Sequence, residues 1–290
     1  QDQTEAELQL KISMNFDDEL DFVVPYYNGF ICSMESNKMI IFDSDGNNLV
    51  DYSFNNGVVD IYADSKDYIM VLLDNNEVIS FKYDDSLVVD SDQCFSSPIV
   101  DIAYYTSNIP NRGVTYFVVS DNGELFSYGK NTGIIDPDLD KGLIIDEPQV
   151  IGTDINFVYS HYAVDSDNCV IDLSNGNKSE VVSNEIVGLG CFTYAIAYSN
   201  EMYYEIDNSD MTLEEKGNIQ NGTFFCTNTG FIYKMNDAMF YTGFLGGETS
   251  GKGLLETKDS KIDLPQDYAY CVVQYGVICY DADNLLLYSV

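Results

Sequence analysis

His161 is the only histidine of the 290 residues, and Arg112 is the only arginine. A nucleophile–histidine relay has at most this one base to draw on, and a multi-histidine metal site cannot be assembled at all. His161 is instead expected to hold its loop by hydrogen bonds to a neighbouring segment. Chemistry that grips a substrate carboxylate with several arginines is excluded in the same way. Arg112 lies in SNIPNRG (107–113), where a lone cation can anchor a partner carboxylate bidentately. GGETSGKG (246–253) approaches a phosphate-binding loop, but Gly253 stands where the magnesium-binding Ser or Thr belongs. DSDGNN (43–48) opens like a calcium loop, yet no Glu follows twelve positions on. DSDN (165–168) and DADN (281–284) look similar, and Asp and Asn favour tight turns on their own account. No metal site and no cofactor are therefore expected. Paired carboxylates are uninformative among 48 acids, because a glycosidase needs two of them held about 5–10 Å apart in a cleft.

The charge balance narrows the partners. Thirteen Lys and Arg face 48 Asp and Glu, a net charge of −35. A phosphate backbone needs clustered cations, and so does an anionic membrane surface; neither nucleic acid nor membrane is expected as a partner. No apolar run approaches the roughly 18 residues that a spanning helix needs. A basic patch on another protein is the complementary surface. Seven cysteines spread from Cys32 to Cys279 do not read as a small disulfide framework, and no CxxC is present. Cys191, Cys226 and Cys271 each close an apolar run and are expected to be small buried residues. Cys271 and Cys279 face each other if Tyr275 is the centre of the hairpin CVVQYGVIC. Asn177 and Asn221 begin N-glycosylation triplets. Together with the acidity and the abundant Tyr, this suits an exported or cell-surface chain beginning at Gln1.

The elements that carry these residues are strands. Runs of four to eight residues rich in Val, Ile, Tyr and Phe are bounded by Asp, Asn, Gly and Ser. Hydrophobic residues make up 45% of the chain and aromatics 13%, enough for a real core. Thr4 to Lys11 is the one helix candidate, and ELQLKIS (7–13) alternates as a strand does. Seven segments share one plan: an apolar strand, a short loop, a second strand, a polar turn and a third strand. Their first strands are DFVVPYY (21–27), VVDIYAD (58–64), IVDIAYY (99–105), DINFVYS (154–160), EIVGLGC (185–191), NGTFFC (221–226) and QDYAYC (266–271). The third strands end at Phe42, Phe81, Tyr128, Leu173, Glu205, Thr242 and Val290, a mean interval of about 41 residues. Three or four strands in about 40 residues is the size of a propeller blade. Such a unit cannot bury both faces alone, and packing units around an axis does so. The seventh unit stops after its third strand at Val290, so ELQLKIS is expected to supply the fourth and clasp the ring. The blades are expected at about 15–52, 53–92, 93–146, 147–182, 183–216, 217–260 and 261–290 plus 5–14, in one domain.

Three stretches carry a family likeness. DNGELFSYGKNTG (121–133), VVDIYADSKDYIMVLLDNNEVISF (58–81) and SHYAVDSDN (160–168), with His161 before the second strand, resemble the repeat of the regulator of chromosome condensation 1 (RCC1) type. The chain departs from it in lacking that His in most repeats and in having Tyr where Trp is usual. The resemblance implies an all-β fold, a seven-bladed RCC1-like β-propeller, and a scaffold acting by protein–protein contact. Its members include an exchange factor for a small GTPase and secreted inhibitors of β-lactamase. Fold does not fix function, so these are expectations by analogy.

If the repeats are real, the loops between first and second strands gather on one face. Tyr26, Tyr27, Tyr105, Tyr159, Phe192 and Tyr275 fall at or beside those loops, as do Lys66, Arg112 and Asn228. Aromatics ringed on a concave face are anchors for a protein or a sugar. These nine residues form the expected partner surface of a monomeric, non-catalytic, protein-binding propeller. A carbohydrate-binding or carbohydrate-active propeller, with the aromatics as stacking platforms, is the alternative.

Overall fold

The computed structural model describes residues 7–27, 29–107, 113–192, 194–219, 224–227, 230–247, 252–274 and 276–290. Among them every regular element is a strand. Seven four-stranded antiparallel sheets follow one another around a ring. β1 (Gln9–Asn15) comes first in the chain and belongs to the last sheet. The first sheet holds β2 (Leu20–Tyr26), β3 (Gly29–Met34), β4 (Lys38–Asp43) and β5 (Asn48–Ser53). The second holds β6 (Val58–Tyr62), β7 (Tyr68–Leu73), β8 (Glu77–Tyr83) and β9 (Leu87–Cys94). The third holds β10 (Ile99–Ser107), β11 (Gly113–Ser120), β12 (Leu125–Lys130) and β13 (Ile144–Gly152). The fourth holds β14 (Ile155–Tyr159), β15 (Tyr162–Asp165), β16 (Val170–Asp172) and β17 (Asn177–Lys178). The fifth holds β18 (Ile186–Cys191), β19 (Ala195–Ser199), β20 (Met202–Asp207) and β21 (Thr212–Asn218). The sixth holds β22 (Phe224–Thr227), β23 (Gly230–Met235), β24 (Ala238–Gly247) and β25 (Lys252–Ile262). The seventh joins β26 (Ala269–Val273), β27 (Gly276–Tyr280) and β28 (Asn284–Ser289) to β1. The fold is a seven-bladed β-propeller closed by its N-terminal strand. No helix among the described residues is long and apolar enough to cross a membrane.

Burial explains why the repeats read as they do. Second strands are covered on both faces, so they are near-continuous apolar runs; β3 and β15 are buried throughout. Fourth strands face solvent at the rim, so β5 and β9 alternate polar and half-buried residues. The core is divided among the blade interfaces. Ile31 and Ile41 of the first blade meet Ile69 and Phe81 of the second. Met70 and Leu72 point the other way, onto Tyr104 and Tyr116 of the third. The last interface closes the ring: Cys271, Ile278 and Leu287 of the seventh blade pack on Phe30, Cys32 and Phe42 of the first, with Ile12 and Met14 of β1 half-buried against them.

Two sequence expectations need correction here. The β26–β27 hairpin pairs Val273 with Gly276. In that register Cys271 faces Ile278 and Cys279 faces Tyr270, so the two thiols do not face each other. The two thiols join opposite interfaces and are unbonded. Cys271 is buried, whereas Cys191 and Cys226 are only half-buried, for a reason given below.

Polar turns between second and third strands are self-sufficient. The Asp281 carboxylate accepts hydrogen bonds from the Asp283 and Asn284 amides (2.9 and 2.8 Å). Asp165 does the same for Asp167 and Cys169 and also pairs with Lys178 at 2.5 Å. In the third-to-fourth-strand turn at 43–47, Asp43 accepts from the Asp45 and Asn47 amides. These carboxylates are committed to holding the chain reversal. Among the described residues, no group of three metal-ligating side chains comes together.

Candidate functional site

Innermost strands β2, β6, β10, β14, β18, β22 and β26 run in one direction around the axis, so their ends meet at one mouth. There they surround a cavity of about 580 Å³, to which every blade contributes. Its wall includes Tyr26 and Tyr27, Asp60, Tyr62 and Asp64, Asp101, Tyr159 and Ser160, Cys191 with Tyr198, Cys226 with Thr227, and Gln274.

Repetition at the start of the inner strands places two carboxyls on this wall. The β6–β7 ladder shifts register between Val58 and Asp60, and the β10–β11 ladder shifts between Ile99 and Asp101. The same bulge recurs at Leu20/Phe22, Ile155/Phe157 and Ile186/Gly188. A bulge re-aims the side chain that follows it. Asp60 and Asp101 are equivalent residues in adjacent blades. Asp60 accepts from the Ile61 amide (2.8 Å). Asp101 accepts from the Ile102 amide (3.0 Å) and reaches across to the Val158 amide of the next blade (2.6 Å).

Nearer the mouth, the Tyr62 hydroxyl donates to Asp64 (3.2 Å) and accepts from the Ser160 amide (2.9 Å). The Tyr62 ring stands edge-on to Tyr104 and Tyr159, with centroids 5.0 and 5.7 Å away. Tyr104 holds the adjoining loop by accepting from the Ser65 amide and donating to the Tyr68 carbonyl.

Electrostatics follow from this enclosure. Burial pushes the Asp101 carboxyl up to about 7; the Val158 and Ile102 amides oppose the rise and Asp60 adds to it. Burial likewise raises Asp60, against the Ile61 amide. Asp64 rises to about 6 by desolvation among the surrounding groups, opposed by the Tyr62 and Tyr104 hydroxyls, although its side chain is exposed in the open funnel. Burial raises Tyr62 and Tyr159 well above the usual phenol range, so both stay protonated donors.

A raised carboxyl has a measurable consequence. Folded Asp101 holds its proton more tightly than the unfolded chain, whose Asp titrates near 3.9. Its contribution to stability is therefore complete below about pH 4 and lost as the pH rises through about 7. The full shift would amount to about 4 kcal/mol, and partial solvent contact reduces this to about 2 kcal/mol. Asp101→Asn is expected to flatten the loss of stability between pH 5 and pH 8 by about 1–2 kcal/mol, read by urea unfolding at both pH values. Equal pH slopes for the two proteins would contradict a perturbed Asp101.

The residues expected from sequence separate into three groups. Tyr26, Tyr27 and Tyr159 line the cavity. Tyr27 is 46% exposed at its mouth, whereas Tyr26 is buried, its hydroxyl donating to the Lys66 carbonyl (2.7 Å). Lys66 is exposed on the same rim. Tyr105 and Phe192 serve blade packing instead. The Tyr105 ring lies tilted against His161 (centroids 4.7 Å apart), and Phe192 contacts Phe231 and Phe244 (6.1 and 5.9 Å). Arg112, Asn228 and Tyr275 lie outside the described residues, as do 248–251 of the Gly-rich stretch between β24 and β25. Among the described residues, His161 reaches the neighbouring blade through the Tyr105 ring, and its Nδ1 lies 3.3 Å from the adjacent Ser160 hydroxyl. Burial lowers its pKa, opposed by Asp172.

Asp60, Tyr62, Asp64, Asp101 and Tyr198 also line the cavity and are not among the residues expected from sequence. Cys191 and Cys226, expected as small buried residues, line the axial wall. One signal was present: VVDIY and IVDIA carry Asp at the same repeat position.

Comparison with known proteins bears on the fold. No protein-family model matches the chain, and no curated protein matches its sequence. Solved structures do match in shape. The crystal structure of human WBSCR16 superposes with a TM-score of 0.65 at 13% identity, covering 95% of this chain and 88% of that one. Yeast RCC1 (Prp20), seen bound to Kap60, gives 0.63 at 11% identity, covering 93% and 80%. The chain is similar in fold to the RCC1 propeller. The propeller domain of Myceliophteria thermophila Cps50 (Swd1) is as similar, at 0.65 and 9% identity, covering 98% and 100%. Identities this low carry the architecture and leave the activity to be argued from the site.

Proposed function

We propose that this chain is a non-catalytic, exported or cell-surface propeller that binds a protein partner through the face bearing the axial mouth. One observation carries this reading: all seven blades converge on that mouth, where the 46%-exposed Tyr27 stands beside the cavity. A rigid aromatic at the edge of a concave opening is the usual anchor of an interface. The turns on the opposite face are occupied with their own backbone amides, as at Asp165 and Asp281. Yeast RCC1 bound to Kap60 supports the reading as a case of a similar fold in a protein complex. A net charge of −35 favours a partner with a basic patch.

The test begins with affinity capture from the native surroundings, comparing wild type with Tyr27→Ala. The captured protein is then measured in pure form. Steering by an acidic field predicts that association slows at least tenfold between 0.05 and 0.5 M salt. A rate indifferent to salt refutes the steering, and reproducible sugar hits on a glycan array with no captured protein would replace the reading by the carbohydrate one.

A further inference from the structure

We infer that the axial cavity receives an extended cationic side chain, a lysine or arginine projected by the partner protein. This rests on the protein-binding reading above and gives it a chemistry. Three carboxyls, Asp60, Asp64 and Asp101, line the cavity, and no lysine or arginine is among its described lining residues. That asymmetry is local as well as global, since the whole chain carries −35. The carboxyls are staged along the axis, with Asp64 at the mouth and Asp60 and Asp101 on the inner strands. The rings of Tyr27, Tyr62 and Tyr159 share the same wall, and aromatic faces suit the methylene stem and charged head of one long side chain.

The two inner carboxylates, Asp60 and Asp101, retain acceptor capacity. Asp60 is engaged by one backbone amide, and Asp101 by one amide at each oxygen. A carboxylate has about four lone-pair sites, so room is left for a guanidinium or ammonium. Inside a partly enclosed funnel such a contact is screened less by solvent than a surface ion pair.

The probes are N-acetyl-arginine amide, N-acetyl-lysine amide and the uncharged N-acetyl-citrulline amide, titrated into the full chain at pH 8 and 50 mM salt. A cationic probe is expected to bind at least tenfold more tightly than the citrulline probe. Asp64→Asn and Asp101→Asn should each weaken it at least fivefold, while Asp283→Asn, exposed in a turn on the opposite face, leaves it unchanged. Asp64→Asn decides the matter should Asp101→Asn fail to fold, since Asp64 sits at the mouth and is partly solvated. Equal binding of arginine and citrulline probes, or unchanged binding by Asp64→Asn, overturns the inference. Partner capture that persists at full strength in both aspartate variants also overturns it and leaves the protein-binding reading standing. Probe binding that meets these criteria without any captured protein overturns the protein-binding reading instead.

Discussion

Removal of residues 1–14 is expected to lower the melting temperature by about 10 °C. β1 contributes the fourth strand of the seventh blade, pairing from Gln9 opposite Ser289 to Asn15 opposite Asn284. It also crosses to the first blade: Ile12 lies over the Gly46 turn and, with Met14, packs against the Phe30–Phe42 cluster. Leu8 covers the interface of the sixth and seventh blades. Deletion removes most of a hydrogen-bonded ladder, worth about 1 kcal/mol per bond, and the burial of three apolar side chains. The entropy regained by the freed segment offsets part of this. A net loss of roughly 5 kcal/mol translates, at about 2 °C per kcal/mol for a chain of this size, into the stated shift. Deletion also bares the edge of β28, so aggregation on heating should increase. A synthetic peptide of residues 1–19 added in trans should restore part of the loss in a concentration-dependent way, since it binds only the folded ring. A truncated protein that melts with the wild type would show that the clasp carries no stability.

Seven repeats were legible in the sequence because each layer of a blade is written in a different alphabet. Doubly buried second strands give unbroken apolar runs such as YIMVLL, and chain reversals give DNN, DNG and DSDN. The cavity was harder to see. Sequence cannot tell Asp60 on an inner strand from Asp281 in a turn, because both occur in short acidic–apolar contexts among 48 acids. What separates them is the bulge that aims Asp60 and Asp101 at the axis, and a bulge is a matter of pairing register. Aromatics near loops were equally ambiguous. Tyr27 ends exposed at the mouth, but Tyr105 is drawn sideways onto His161. With Asp101 equivalent to Asp60, Tyr105 occupies the repeat position that Asp64 holds in the second blade, and the buried Ala103 stands where that blade has Tyr62. Strand length contributes to the difference: β10 runs on to Ser107, so Tyr105 is still paired within it, whereas Tyr27 lies just past the end of β2.

Gly29→Ala is expected to cost about 3 kcal/mol, or roughly 6 °C, although it adds a single methyl group. Gly29 opens β3 opposite Asp43 of β4. A Cβ there would overlap the Phe42 carbonyl oxygen and lie 2.8 Å from the carbonyl carbon and 2.9 Å from the Cα of Asp43. All three obstacles are backbone, so no rotamer change relieves them, and strand β4 must move. Other blades use glycine in the same place: a Cβ on Gly230 would lie 2.7 Å from the Thr242 carbonyl oxygen, and one on Gly276 2.6 Å from that of Tyr288. Gly176→Ala is the control. It has φ of +75° and nothing within 4 Å, so only the left-handed backbone is penalised, at about 1–2 kcal/mol. The two substitutions should therefore differ in stability by at least about 1 kcal/mol when measured by urea unfolding, and equal losses would mean that the strand yields freely. A second readout ties the packing to the site. Gly29 pairs with Tyr26 across the β2–β3 turn, which also carries Tyr27. Displacing that turn moves the aromatic rim of the cavity, so Gly29→Ala should weaken binding of the arginine probe at temperatures where it remains folded, and Gly176→Ala should not.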